Sequence, residues 1–315
     1  MQQGLVRFVL RRVLVAGLMV LLVSSAALLL VRLAPGDHLT GFEVSAEAVA
    51  AERARLGLNR PFASQYADWL ARAVHLDFGE SLKYRRPVRE LIGERAGNTA
   101  LLGLSALVIA TLLGIPGGVL TGSSEGPGAW LAGGLSIVLL SLPPLVISLV
   151  LLLIASTTRW FPVGGFGALP AQDVGDTVRY LLLPSLALAL PMSAALERLQ
   201  SQAMREALAE PAVLNARARG CSTARVVWRH AFRLSLKPVL ALYGVFVGTV
   251  LSGSFVVEIV MSWPGLGALM YEALVARDLY LVAGCAATGA VFLGAGILAS
   301  DVALVMADPR VADGR

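Results

Sequence analysis

The sequence predicts an all-α membrane protein of six transmembrane helices, with a helical extracytoplasmic region between the first two spans. Three observations lead there. Of 315 residues, 57% are hydrophobic and 15% charged, with mean hydropathy +0.73; a soluble domain carries about 25% charge. Apolar residues gather into six stretches, each close to the about 20 residues that cross a 30 Å hydrocarbon core. The segment Arg198–Lys237 carries eight cations: Arg198, Arg205, Arg217, Arg219, Arg225, Arg229, Arg233 and Lys237. At roughly 2.5–3.5 kcal/mol per central Arg or Lys, placing eight in lipid would cost at least ~20 kcal/mol. A folded aqueous element therefore interrupts a membrane domain.

The spans fall at about 13–33, 98–121, 130–155, 180–197, 238–260 and 281–305. Arg7, Arg11 and Arg12 precede the first and could head a signal peptide. The apolar run Val13–Val31 is too long for a typical signal core, and no small-x-small cleavage site follows, so an uncleaved span is expected. The same cations place the N-terminus in the cytoplasm. Six crossings then bring the 198–237 loop and the C-terminus to that side, which agrees with the loop's charge. The 122–129 loop holds no cation and says nothing about orientation.

Segment 34–97 faces outward with nine cations and nine acids. It reads as short helices, 45–56 and then Pro61 to about His75. Asn59 is the expected N-cap of the second, and Pro61 suits its first turn. Phe62, Tyr66, Trp69 and Ala73 share one face, which either packs on the spans or docks an outside partner.

Small residues recur at close-packing intervals. Gly114 and Gly118 flank Ile115-Pro116-Gly117, and Gly244, Gly248 and Ser252 repeat every four residues. These serve tight bundle packing, or line a pathway. Pro143-Pro144 is expected to kink or break the third span.

Several function classes drop out. The sequence has no GxxxxGK[ST], GxSxG or HExxH, and its only lysines are Lys83 and Lys237. His38, His75 and His230 are scattered; Cys221 and Cys285 have no metal-ligand spacing and no expected disulfide. No aromatic-interleaved basic patch points to nucleic acid. Glu258 and Asp301 sit near span ends without evident partners, so an ion relay is weakly supported. Glu258 reads as an interfacial or bundle-facing acid, or as a gate.

Within the cytoplasmic loop, Ala212–Arg219 suits a short helix with Gly220 at its C′ position. Ser222 suits the N-cap of a second helix from Thr223 to about Leu236, broken before Pro238. On that helix Arg225, Arg229 and Arg233 form one stripe, and Val227, Ala231 and Leu234 another. The Arg stripe is either a solvated or headgroup-facing surface, or a partner contact.

The run Ala216-Arg217-Ala218-Arg219-Gly220, followed by Arg229-His230-Ala231-Phe232-Arg233 and Pro238, resembles the cytoplasmic "EAA" loop of ABC importer permeases. The closest likeness is to the first permease subunit of the dipeptide/oligopeptide/nickel group. Further matches follow in the family's order: Pro35-Gly36-Asp37; Leu56-Gly57-Leu58; Pro61 and Tyr66; Asp77-Phe78-Gly79-Glu80-Ser81; Arg86-Pro87-Val88; Phe255-Val256-Val257-Glu258; Ser262-Trp263-Pro264-Gly265-Leu266-Gly267; Ala276-Arg277-Asp278; and Asp308-Pro309-Arg310. Each alone is weak; the ordered series covers nearly the whole chain. The sequence departs from the family at Pro211, Ala212, Val213, Leu214 and Asn215, where an acid, an aromatic, an aliphatic, Arg and Thr are usual. The 122–129 loop also lacks the family's basic residues.

The resemblance implies a type I ABC importer permease fold divided as 1–33, 34–97 and 98–315. It implies a multi-pass subunit of a bacterial or archaeal cytoplasmic membrane, and not an enzyme. Its expected partners are a second homologous permease in a heterodimer, two ATP-binding cassette subunits, an extracytoplasmic substrate-binding protein and the lipid bilayer, with no nucleic acid. ATP and Mg would be bound by the ATPase subunits and no cofactor by this chain. Asn215, Ala216, Arg217, Ala218, Arg219, Gly220 and Ser222 would form the ATPase-coupling loop. Glu258, Trp263, Pro264, Gly265 and Gly267 would form a binding-protein or outer-gate region. An autonomous channel or secondary transporter is the alternative; it would call for mid-membrane ionisable residues or an internal repeat, neither of which is clear.

Overall fold

Long apolar helices build the computed structural model, which describes residues 2–33, 60–73, 75, 77–164, 166 and 173–307. The expected helix 45–56, the Asn59 cap and the motifs Pro35–Asp37, Leu56–Leu58 and Asp308–Arg310 lie outside the described residues. In chain order the helices are α1 (Gln2–Leu33), α2 (Phe62–Ala73), α3 (Val88–Ser123), α4 (Pro127–Ser141), α5 (Pro144–Thr158), α6 (Val174–Ala209), α7 (Pro211–Ala218), α8 (Thr223–Val260), α9 (Leu266–Val275) and α10 (Leu279–Ala307). The only β pairing among the described residues is one antiparallel bridge, Glu80 to Pro87. By length and composition, α1, α3, α6, α8 and α10 each suffice to cross a membrane, and α4 with α5 makes a sixth span only if counted as one.

That pair corrects the expected 130–155 span. Its two 15-residue helices meet at 104°. Pro144 opens α5 at a position where its missing amide has no intrahelical partner, and Pro143 precedes it in extended conformation (ψ 149°). The dipeptide therefore turns the chain instead of kinking it. Internal prolines elsewhere are tolerated: Pro116 lies inside α3, and Pro184 and Pro191 inside α6.

A second correction concerns Pro238. The helix expected to stop before it runs on without a break from Thr223 to Val260. The amide missing at Pro238 would have bonded the Leu234 carbonyl; both residues are exposed, so solvent can take that carbonyl. The first turns of α8 instead carry a π-helical stretch, Val226–Ala231. Val227 and Ala231 of the expected apolar stripe are buried, but Leu234 is not; Ser235 takes the inward position.

The most intimate helix pair is α3 on α6. A Cβ on Gly114, Gly118 or Gly122 would fall 2.5–2.6 Å from the Ser193, Glu197 and Ser201 carbonyls. Glycine every four residues thus sets the backbone separation here. Gly244 and Gly248 of α8 pack on Ile297 and Leu293 of α10 in ordinary contact. The main core joins α3, α5, α6 and α8 through Leu102, Ile147, Leu188, Leu196, Val250 and Val257. A smaller cluster seats α2 through Trp69 on Leu28 of α1 and on Leu279 and Ala283 of α10, with Tyr66 and Ala73 beside it. The described part of the α2 apolar face is therefore packed on the spans.

Candidate functional site

Two regions singled out by the sequence become defined local structures at opposite ends of the bundle.

Glu258 is fully buried near the C-terminal end of α8. Its Oε2 accepts the amides of Gly267 at 2.6 Å and Ala268 at 3.1 Å, the second and third residues of α9. Its Oε1 accepts the Thr99 hydroxyl at 2.7 Å, and Thr99 Oγ1 in turn accepts the Leu266 amide at 2.7 Å. Three orphan amides of the first turn of α9 are thereby satisfied by groups from α8 and α3. The carboxylate sits where the helix dipole favours a negative charge. This is why glycine occupies both positions of the motif: a Cβ on Gly265 would lie 2.4 Å from the Glu258 carboxyl, and one on Gly267 would lie 2.7 Å from the Phe255 Cα.

Trp263 closes the same knot. Its backbone amide donates to the Glu258 carbonyl at 2.9 Å, and its indole Nε1 to the Asn98 carbonyl at 3.1 Å. Asn98 Nδ2 returns a bond to the Pro264 carbonyl at 2.8 Å. The indole is 2% exposed and stacks on Phe166 with centroids 4.4 Å apart. The structure thus brings Glu258, Trp263, Pro264, Gly265 and Gly267 together, and of the two readings for Glu258 it matches the bundle-facing acid.

An analogous cap holds the next helix. Asp278 is fully buried before α10; its Oδ1 accepts the Leu281 amide at 3.1 Å, and its Oδ2 the Ser81 hydroxyl at 2.6 Å and the Lys83 amide at 3.0 Å. The 77–87 segment is thereby pinned against α10, where a Cβ on Gly79 (φ +91°) would stand 3.6 Å from the Tyr280 ring. Glu272 of α9 adds a surface contact, pairing with Lys83 at 3.3 Å and accepting the Tyr84 hydroxyl. Burial pushes the Glu272 carboxyl up, but the Tyr84 hydroxyl and Lys83 ammonium together hold it below the ordinary range.

At the opposite end of the bundle, before α8, Pro211 opens α7 after Glu210. Its substitution for the family's acid is accommodated because the first turn needs no amide there. After Arg219, Gly220 adopts φ +79°. The Gly220 amide donates to the Arg217 carbonyl at 3.0 Å and the Cys221 amide to the Ala216 carbonyl at 3.3 Å. These two bonds are the pair that closes a helix on a left-handed glycine. Val213 and Ala216 face inward, at 2% and 1% exposure, while Leu214, Asn215, Arg217, Ala218, Arg219 and Gly220 are exposed. Ser222 occupies the expected N-cap position of α8, but its side chain makes no capping bond; its carbonyl accepts the Val226 amide at 2.9 Å instead. Arg225, Arg229 and Arg233 are exposed, as is Trp228, whose ring lies 5.5 Å from that of Phe232.

Sequence reasoning missed Asn98, Thr99 and Glu197, and it left Asp301 without a partner. Arg12 pairs with Asp301 at 2.8 Å, joining α1 to α10 across 289 positions of sequence. No local pattern reports a contact at that separation. Glu197 carried a readable signal, a charge at the end of an apolar run, but its burial on α6 did not.

Comparison with known proteins identifies the family. Residues 114–313 match the family described as binding-protein-dependent transport system inner membrane component, and residues 5–100 match its N-terminal companion. Relatives align over almost their whole length. The oligopeptide transport system permease protein AppB of Bacillus subtilis is 32% identical over 96% of this chain and 98% of its own. A putative peptide permease protein of Brucella suis is 32% identical over 98% and 99%. The oligopeptide transport system permease protein OppB of Salmonella typhimurium is 30% identical over 98% and 99%. The chain belongs to the binding-protein-dependent transport system inner membrane component family, as a multi-pass permease subunit of an ABC importer and not an enzyme.

Proposed function

We propose that this permease carries peptides, paired with a second homologous permease and driven by two cytoplasmic ATPases, with an extracytoplasmic binding protein delivering the solute. The names of the relatives support the solute class. The observation that carries the coupling role is the form of α7: two residues anchored inward, the rest of a short helix presented outward, and a left-handed glycine at its end. Such a knob moves with the bundle and offers a rigid face of Leu214, Asn215, Arg217, Ala218 and Arg219 to a groove. Ala216 supports that face from beneath, and Gly220 and Ser222 turn the chain into α8. Closure of the ATPase pair on ATP would displace the knob, and α8 would carry the displacement to the Glu258–Gly267 knot at the outer end. We place both termini in the cytoplasm from Arg7, Arg11 and Arg12, with 34–97 as the outward region, 98–315 as the core, and the Glu258, Trp263, Pro264, Gly265 and Gly267 cluster in the outer-gate region.

The test is gentle purification from the source membrane. Recovery of an ATPase and a second, similar permease is the expected result. A chain recovered alone or as a homo-oligomer across several mild detergents would overturn the reading. Surface-directed Leu214→Glu should then abolish ATPase recovery while the two permeases still copurify.

A further inference from the structure

Glu197 of α6 is 5% exposed and lies at the cytoplasmic end of the α3–α6 contact. The Thr121 hydroxyl of α3 donates to its Oε1; among the described residues nothing donates to its second oxygen and no cation stands at ion-pair distance. The stem passes close over α3, where a Cβ on Gly117 would stand 3.3 Å from the Glu197 Cγ. The carboxyl lines a cavity of about 1300 Å³ bounded by α3, α4 and α6, together with Arg198, Arg205, Glu125 and Trp130. Arg205 donates to the Thr121 carbonyl at 3.3 Å. Thr121 thus holds Glu197 by its side chain and Arg205 by its backbone, and among the described residues the charges do not pair with each other. A buried, unpaired carboxylate is costly, and in membrane proteins such a group marks a path for a charged solute. The two signs, kept apart in one cavity, complement a molecule that carries both.

We propose that this cavity is a binding station on the transport path for an amphoteric solute, a short zwitterionic peptide. Glu197 receives its ammonium group, and Arg198 and Arg205 receive its carboxylate. The station rests on the peptide-import reading above.

The experiment uses the assembled importer in detergent with Cys221→Ser and Cys285→Ser, and Gln202→Cys at the cavity wall as reporter. Labelling is followed with a trimethylammonium, a sulfonate and an uncharged thiosulfonate. With Glu197 present, the cationic reagent should outpace the anionic one by about tenfold, the effect of one charge a few ångströms away in a partly hydrated site. Glu197→Gln should erase that ratio and Glu197→Asp should restore it, with the uncharged reagent unaffected in both as proof that the cavity is intact. Dialanine should slow labelling, N-acetyldialanine should not, and Glu197→Gln should abolish the protection. A ratio indifferent to Glu197→Gln, equal protection by both peptides, or no labelling by any reagent would overturn the proposal; the last would mean that the second permease closes the cavity. Dialanine uptake by the same complex in vesicles separates the two readings. Uptake without protection sinks the station alone, whereas the absence of uptake for dialanine and longer peptides sinks the import reading and the station with it.

Discussion

Replacing Glu258 separates a helix cap from a gate. The carboxylate accepts two buried α9 amides, at 2.6 and 3.1 Å, and the Thr99 hydroxyl at 2.7 Å. In Glu258→Ala both amides lose their acceptor at about 1–3 kcal/mol each, and the emptied space adds about 1 kcal/mol, so a loss of about 3–7 kcal/mol is expected. Glu258→Gln is milder. Its carbonyl oxygen can serve the two amides, while its NH₂ turns to Thr99 Oγ1. What remains lost is the charge at the helix N-terminus, worth about 1–2 kcal/mol in a buried site. Glu258→Ala should therefore lower the midpoint of thermal unfolding of the purified complex clearly more than Glu258→Gln does. Hydrogen exchange should rise at Leu266–Ala268 in Glu258→Ala and stay close to wild type in Glu258→Gln. Transport should follow the same order. Equal thermal loss in the two variants would refute the bond-by-bond reasoning. A Glu258→Gln protein with unchanged unfolding and exchange but no transport would show that the carboxylate gates instead of capping.

Gly118→Ala should push α3 from α6, because its Cβ would meet the Gln200 Cβ and the Glu197 carbonyl at 2.5 Å; about 1–3 kcal/mol is expected, read as a lowered unfolding midpoint, while Gly128→Ala, with open space around it, should be silent. Gly220→Ala should weaken ATPase copurification more than Gly220→Asn, since φ +79° strains alanine by about 1 kcal/mol and asparagine less. Removing Arg12 leaves Asp301 unpaired at the α1–α10 contact, so Arg12→Ala should destabilise more than Arg12→Ala combined with Asp301→Asn, measured as a double-mutant cycle on unfolding midpoints. The Glu272 contact carries a pH signature. Its carboxyl lies below the ordinary 4.5, so its contribution is complete above 4.5 and disappears as pH falls through the lowered value; with both partners more than a third exposed, solvent screening keeps it below about 1 kcal/mol. Unfolding midpoints between pH 3 and 6 should converge for wild type and Glu272→Gln at the acid end and separate above pH 5.

Local chemistry made some features legible in the chain. Five spans read as apolar runs because hydrocarbon tolerates nothing else for about 20 residues. The short helix α7 and its Gly220 stop were legible, with its start read one residue late at Ala212, because each depends on near neighbours such as a missing Cβ at a left-handed position. The Ser262–Gly267 motif was visible as a string, and its glycines mark close approach, but what approaches was not visible. The third span shows the limit of the same reasoning. Pro143-Pro144 announced a break, but whether it kinks or turns the chain by 104° depends on what packs against each half.

The sequence by itself determined that this is a polytopic membrane subunit with a basic knob between spans, because hydropathy and helix-end chemistry act over a few residues. Only the tertiary structure decided what the charged residues do. Glu258 became the cap of α9, Asp278 the clasp between the 77–87 segment and α10, Asp301 the partner of Arg12, and Glu197 the buried floor of a cavity. Each role is set by a group 76 to 289 positions away, or by a helix that starts after a turn. A carboxylate's energy in a membrane protein depends on which donors surround it, and that is fixed only when the helices pack.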